Sequence, residues 1–345
     1  MKKRKHLVIL ALPLLALTGW ATAVLFFAGP GEAAWVRTSL AAVYLLGSLA
    51  ALFWLRPFWR AFGVWGIGLL AVLVWWTSIR PSNDREWQPE VAKLASFEVH
   101  GDLLTIHNLR NFEYRSETDF TPRYEDRVYD LSKLRSLDLF MSYWGMPAIA
   151  HTILSWEFEG SPPLAISIET RKRKGQEYSV VQGFFRQYEI IYVAADERDI
   201  VRLRTNYRGE DVYLYRFKAT PVQARAMLMD YVSTMNALVE TPAFYNELVD
   251  NCTTSVRRHV KNVDVSAPRA DWRLLANGYL DRMLYERGTI ATGLPFAALR
   301  ERSHINARAK TLDNDPGFSQ GIREALPDPR SAARMREPSE PVSKG

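Results

Sequence analysis

The sequence predicts an α+β domain carried behind three N-terminal transmembrane helices, and three observations predict it. Three uncharged apolar stretches fill the first 80 positions. From 96 to 217, short alternating or β-branched runs are separated by Gly, Pro and Asp turns. From Pro221 onward, apolar residues recur at helical spacing.

The apolar stretches Leu7 to Phe27, Thr38 to Leu55 and Ala61 to Ile79 are 21, 18 and 19 residues long and carry no charge. About 20 apolar residues cross the roughly 30 Å of bilayer hydrocarbon. Trp54, Trp59, Trp75 and Trp76 fall at or near stretch ends, where indole prefers the interface. Lys2-Lys3-Arg4-Lys5 precedes the first stretch, and Arg56 and Arg60 lie between the second and third. The loop between the first two holds only Glu32 and Arg37. This asymmetry places the N-terminus in the cytoplasm and the chain from Arg80 onward outside. Ala21-Thr22-Ala23 resembles a signal-peptide cleavage site, an alternative that the two further spans weigh against.

Residues 1–80 are therefore the anchor, 81–327 an extracytoplasmic domain, and the Pro-, Arg- and Ser-rich 328–345 a disordered tail. Of 44 basic and 38 acidic residues, the first 85 positions hold nine and two, leaving 35 and 36 for the rest. The basic balance thus belongs to the flanks of the anchor, which excludes a nucleic-acid-binding domain. A domain this size buries a full core without staples, consistent with a single cysteine in the chain.

Within the domain, 81–92 reads as a linker. Ser96 to Arg115 reads as a hairpin, with Phe97 and Val99 before the Gly101-Asp102 turn and Leu104 and Ile106 after it. Tyr129 to Tyr143 mixes a strand with a loop. Pro147 to Phe158 and Leu164 to Arg171 read as strands joined by the turn 159–163, followed by strands at Gln187 to Ala195 and Asp211 to Phe217. Pro221 opens a helix to about Leu238; Thr253 to Lys261 and Ala270 to Gly288 are the next two, with Gly288 as a C-cap. The sheet is expected to be antiparallel.

Cys252 carries the most chemistry. Asp250 or Asn251 is a natural N-cap, which sets Cys252 in the first turn of a helix, where the dipole favours a thiolate. The unsatisfied N–H groups there are candidate oxyanion donors. The plainer reading of the residue is a buried small hydrophobe. Among six histidines only His151 is embedded in an apolar strand, where an imidazole needs a hydrogen-bond partner or a role. Glu169, on the next strand, can neighbour it and orient the ring. Cysteine, base and orienting carboxylate make up an activated-nucleophile arrangement.

Chain order, with a strand histidine, a polar residue on the next strand and Asn-Cys at a helix start, resembles the circularly permuted papain-like fold of NlpC-type peptidases and lecithin:retinol acyltransferase-like enzymes. The segments Tyr129-Asp130-Leu131-Ser132, Ser142-Tyr143-Trp144-Gly145, Ile149-Ala150-His151-Thr152, Ser167-Ile168-Glu169-Thr170-Arg171, Gly183-Phe184-Phe185-Arg186-Gln187-Tyr188-Glu189, Leu203-Arg204-Thr205-Asn206 and Asn251-Cys252-Thr253-Thr254 resemble the bacterial Lnb N-terminal periplasmic domain family. That resemblance implies a periplasmic thiol acyltransferase at the bacterial inner membrane. Its nucleophile would be Cys252 and its base His151, moving an acyl chain from phospholipid to an amine such as a lipoprotein N-terminus. The chain is expected to lack the long C-terminal membrane region associated with full Lnb proteins. A thiol hydrolase acting on cell-wall peptides, and a non-enzymatic tethered module, are the alternatives.

Asn251, Arg171, Arg204 and Asn206 are the candidate substrate-binding residues. The basic run Arg171-Lys172-Arg173-Lys174 suits phospholipid headgroups or a solvated turn. Arg202, Arg204 and Arg208 suit a phosphate or pairing with Asp196, Glu197 and Asp199. No metal-ligand spacing, phosphate-binding glycine loop or serine-hydrolase elbow occurs, so no cofactor and no metal are expected.

Overall fold

The computed structural model describes residues 2–247, 251–263, 271–324 and 326–329; the side chains of residues 2–11 and of Cys252 lie outside that description, as does most of the expected tail. The described chain falls into two compact units, one of residues 1–84 with 176–189 and 243–247, the other of 85–175, 190–242 and 248 onward.

The first unit contains α1 (Lys2–Ala28), α2 (Ala34–Trp54) and α3 (Phe58–Ser78). Helices α2 and α3 are long and apolar enough to cross a membrane, while the described apolar stretch of α1 is the shorter Leu12–Ala28. Trp65 Nε1 donates to Thr18 Oγ1 at 2.9 Å and Trp75 Nε1 to the Ala28 carbonyl at 2.7 Å. Ala21, Val24 and Val72 form the small core between the helices. Outward-facing side chains stay apolar, among them Leu46, Phe53, Ile67 and Leu70.

The second unit begins with β1 (Ser96–His100), β2 (Leu103–Arg110), β3 (Glu113–Tyr114), β4 (Phe120–Thr121), β5 (Tyr124–Asp130), β6 (Leu134–Tyr143), β7 (His151–Phe158) and β8 (Ser161–Arg171). A short helix α4 (Val180–Gly183), which belongs to the first unit, precedes β9 (Glu189–Asp196). Then come α5 (Glu197–Arg202), β10 (Asp211–Arg216), α6 (Pro221–Glu240), α7 (Cys252–Val263), α8 (Leu280–Glu286), α9 (Phe296–Ser303), α10 (Asn306–Thr311) and α11 (Phe318–Gly321). The sheet runs β1-β2-β9-β8-β7-β6-β10, with β5 also paired to β2. It is mixed rather than antiparallel throughout: Arg110 pairs with Ala195 in parallel.

The expected hairpin forms with Val99 opposite Leu104, and Gly101 takes the positive φ (+64°) that its turn requires. Two sequence expectations are corrected. The stretch 270–288 is not one helix: tight turns at Trp272–Leu274 and Asn277–Tyr279 interrupt it before α8. The Arg202–Arg208 region, which on the sequence reads as a strand-to-turn region, is the end of α5 running into a π-helical turn, Leu203–Tyr207. Asp196 caps α5 by accepting from the Arg198 N–H, so the acidic Asp196-Glu197 pair starts a helix where alternation alone suggested a strand end.

Alternation along β7 sends His151, Ile153 and Ser155 to one face and Thr152, Leu154 and Trp156 to the other. On the first face, Phe140, Ile153, Ala165, Ile191 and Val193 pack against Ile200, Val201, Ala309 and Phe318 of α5, α10 and α11. This layer is laced with buried ion pairs. Arg323 grips Glu197 through two nitrogens (2.6 and 2.8 Å) and reaches Asp138 at 2.9 Å, and Arg110 grips Asp199 at 2.8 and 3.0 Å. On the second face lie α6, α7 and α8. Trp156 Nε1 donates to the Ala224 carbonyl, and Tyr231 of α6 stacks edge-on against Trp156 and Tyr192. Helix α6 starts where the sequence places it, because Thr220 and Gln223 form a reciprocal capping box ahead of Pro221.

Candidate functional site

His151 opens β7. Register carries Ile153 opposite Ser167 on β8, and two further steps in that register set His151 across from Glu169. Ser167 lies between the two groups. His151 Nε2 is 2.6 Å from Ser167 Oγ, and Ser167 Oγ donates to Glu169 Oε1 at 2.8 Å, while Nε2 and Glu169 Oε1 stand 3.8 Å apart. The expected neighbour is present, but it reaches the ring through a serine.

Proton inventory then sets the tautomer. Glu169 also receives Arg204 Nη2 at 3.2 Å; burial raises its pKa, yet the Arg204 charge wins and holds it well below the usual carboxylate range. As an ionised acceptor, Glu169 takes the single Ser167 hydroxyl proton. Ser167 Oγ must therefore accept from Nε2–H, which leaves the Nδ1 lone pair as the basic atom of a neutral ring. Burial, with the Arg204 charge next, lowers the imidazole to about 3, so the ring is uncharged at neutral pH. Arg204 Nη1 continues the chain to Glu210 Oε2 at 2.8 Å, and Ser142 donates to the same oxygen. Beside Glu169 opens a cleft lined by Glu90, Arg110, Lys172, Arg204 and Arg208.

Asn251 caps α7 as the sequence indicates, its Oδ1 accepting from the N–H groups of Thr253 (3.0 Å) and Thr254 (2.8 Å). Those two donors are thereby occupied, which removes them from the set of expected oxyanion donors. Cys252 is the first residue of α7, and its thiol lies outside the described residues, as does Asp250.

What joins the two elements is a residue absent from the sequence reading. Asn277 Nδ2 donates to the Ala150 carbonyl (2.6 Å) and to Thr253 Oγ1 (2.5 Å), and its Oδ1 accepts from the Ala150 N–H at 2.8 Å. One buried amide thus ties the residue before His151 to the residue after Cys252. Gly278 extends the clamp: its N–H donates to the Ala148 carbonyl, and a Cβ there would come within 2.1 Å of the Pro147 oxygen. Helix α7 packs on the opposite face of the sheet from the His151 ring, since His259 two turns along it bonds Tyr192 (2.9 Å) and Asp230 (2.6 Å) on the α6 side. The N-terminal end of β7, where Asn277 sits, is thus the place at which the start of α7 meets the strand that carries His151.

The remaining candidates part company. Arg204 joins the His151 group. Arg171 is buried, stacked 4.3 Å over Trp87 and bonded to the carbonyls of Val91 and Ala92. Asn206 bonds Asp313 (2.6 Å) and the Ala309 carbonyl. Sequence reasoning missed Asn277 and Glu210, and named Ser142 only as part of a resembling segment. The Asn277-Gly278 pair is a turn signal that carried the information. Beside the α7 start, Trp144, Met146, Ile149, Trp272, Leu275 and Tyr279 leave large apolar surfaces exposed on two loops that the clamp joins. Among the described residues no cluster of metal-ligating side chains occurs.

A family model described as the Lnb N-terminal periplasmic domain matches residues 120–278. No curated protein and no solved structure matches the chain. The matched span takes in His151, Ser167, Glu169, Arg204, Cys252 and Asn277.

Proposed function

Because residues 120–278 belong to the Lnb N-terminal periplasmic domain family, we propose that this chain is a membrane-anchored thiol acyltransferase with Cys252 as nucleophile and His151 as base. All three N-terminal helices cross the inner membrane in this reading, with the N-terminus cytoplasmic. The observation that carries it is the Asn277 clamp, which holds the first turn of α7 against the start of β7. The exposed apolar loops beside that junction suit an acyl chain.

In the first half-reaction the Cys252 thiol gives its proton to His151 Nδ1 and its sulfur attacks the ester carbonyl of a phospholipid. Collapse forms a thioester, and the lysophospholipid oxygen leaves with the proton from Nδ1. In the second, an amine such as a lipoprotein N-terminus attacks the thioester, an amide forms, and the amine proton passes through Nδ1 back to sulfur. Ser167 and Glu169 hold the ring through Nε2–H and favour its cationic form while Arg204 opposes it. With water as acceptor the same residues would hydrolyse a cell-wall peptide or amide. The idle-site alternative would leave the full protein without acyl chemistry.

Full-length protein in vesicles containing acyl-labelled phospholipid tests the proposal. A hydroxylamine-sensitive acyl adduct is expected on the wild type, with transfer to an amine-bearing lipopeptide, and neither in Cys252→Ala. An adduct that persists in Cys252→Ala, or its absence from wild type, sinks the assignment. Release of free fatty acid without transfer points to the hydrolase.

A further inference from the structure

We propose that the excursion between β8 and β9, Tyr178 to Gln187, is an interfacial element that lies in the headgroup layer of the bilayer at the C-terminal end of α3. Two sets of observations within the first unit carry this, and neither depends on the acyl-transfer reading.

One set ties the excursion to the helix ends. Phe185 stacks on Phe27 at 5.1 Å and meets Trp76 edge-on at 6.4 Å, and Trp76 in turn meets Trp20 at 5.8 Å. Arg186, held at φ +53°, donates Nη1 to the carbonyls of Trp76 (2.6 Å) and Ile79 (3.4 Å), with its guanidinium 4.6 Å over the Trp76 ring. The last carbonyls of a helix lack intrahelical donors and carry the negative end of its dipole, so a guanidinium there serves as an external C-cap. A helix as long and apolar as α3 emerges from hydrocarbon at that turn. The excursion is therefore fixed at interface depth, where Trp and Arg are at home.

The other set is the surface left uncovered. Val180 and Val181, each 50 % exposed, open a single turn of helix capped by Ser179, and Tyr178, 44 % exposed, precedes the cap. Two adjacent half-exposed valines beside a half-exposed tyrosine, whose hydroxyl donates to Glu247, are disfavoured in water and favoured at the boundary between headgroups and acyl chains. Their continuity with the α3 end identifies the occupant as the phospholipid bilayer itself.

The test uses the full chain with Cys252→Ser, so that Val181→Cys supplies the only thiol, labelled with an environment-sensitive NBD fluorophore in vesicles of zwitterionic and anionic phospholipid. Nitroxide on the headgroup or at the top of the acyl chain is expected to quench residue 181 at least about twofold more strongly than nitroxide deep in the chain, with iodide in the buffer quenching little. Val180→Cys, labelled in the same way, is expected to repeat the pattern. Quenching by iodide as efficient as for free dye, or strongest quenching by the deep nitroxide, overturns the proposal.

Discussion

Replacing Asn277 by alanine removes three hydrogen bonds at once, to Ala150 N, Ala150 O and Thr253 Oγ1. Each contributes about 1 kcal/mol net, so roughly 3 kcal/mol of stability is lost. Ala150 is buried, and stranding its N–H and C=O raises the loss toward about 5 kcal/mol. A domain of ordinary stability, about 5–15 kcal/mol, survives this. Urea titration in detergent gives the first readout. The second is the pH dependence of iodoacetamide alkylation, which reports on Cys252 alone because the chain has one cysteine. Once α7 is released from β7, the alkylation midpoint is expected to move toward the value of a free thiol, about 8.5. Asn277→Asp keeps the shape but turns a donor into an acceptor facing the Ala150 carbonyl, so it too should destabilise. If Asn277→Ala stays within about 0.5 kcal/mol of wild type with an unchanged midpoint, the clamp has no such role.

Ser167→Ala strands His151 Nε2–H beside Glu169; a loss of about 1–3 kcal/mol and a slower alkylation of Cys252 at pH 7 are expected in urea titration and labelling. Arg323→Met leaves Glu197 buried without a cation and Asp138 with Arg216 alone, and should cost about 3–5 kcal/mol by the same titration. For pH, His151 lies near 3 in the folded chain against 6.5 when unfolded, so the unfolded state binds the extra proton and stability falls as pH drops below 6.5. That slope reaches about 1.4 kcal/mol per pH unit, continues with Glu169 at lower pH, and should flatten in His151→Gln when melting is followed between pH 7 and 4.5.

Local signals were legible wherever turn chemistry and periodicity agreed. Gly101 and the alternation around it marked the first hairpin; Gly160 marked the β7–β8 turn; Pro221 marked the start of α6. Asn251 was legible as a cap because its partners lie two and three residues away. What stayed hidden depends on distant pairing. Arg110, Arg204 and Arg323 look like surface charges until Asp199, Glu210, Glu169 and Glu197 meet them inside the fold. The parallel pairing of Arg110 with Ala195 leaves no mark in either strand. Asn277 was masked by helix-favouring neighbours, Leu274, Leu275 and Ala276, which outweighed its glycine in a local reading.

The buried guanidinium of Arg323 has a consequence for when the sheet is finished. Its partner Asp138 lies 185 positions earlier, and Glu197 126 positions earlier. A chain that emerges N-terminus first gives Asp138 its nearer cation, Arg216, well before Arg323 exists, but leaves Glu197 with only the Ser155 hydroxyl until then. The Glu197 side of the layer beneath α5 therefore completes its ion pairing only when nearly all the described chain has been delivered. Until that moment a nascent molecule holds its anchor and its strands but not its locked core, which makes this interval the time at which quality-control proteases would find it most open to cleavage.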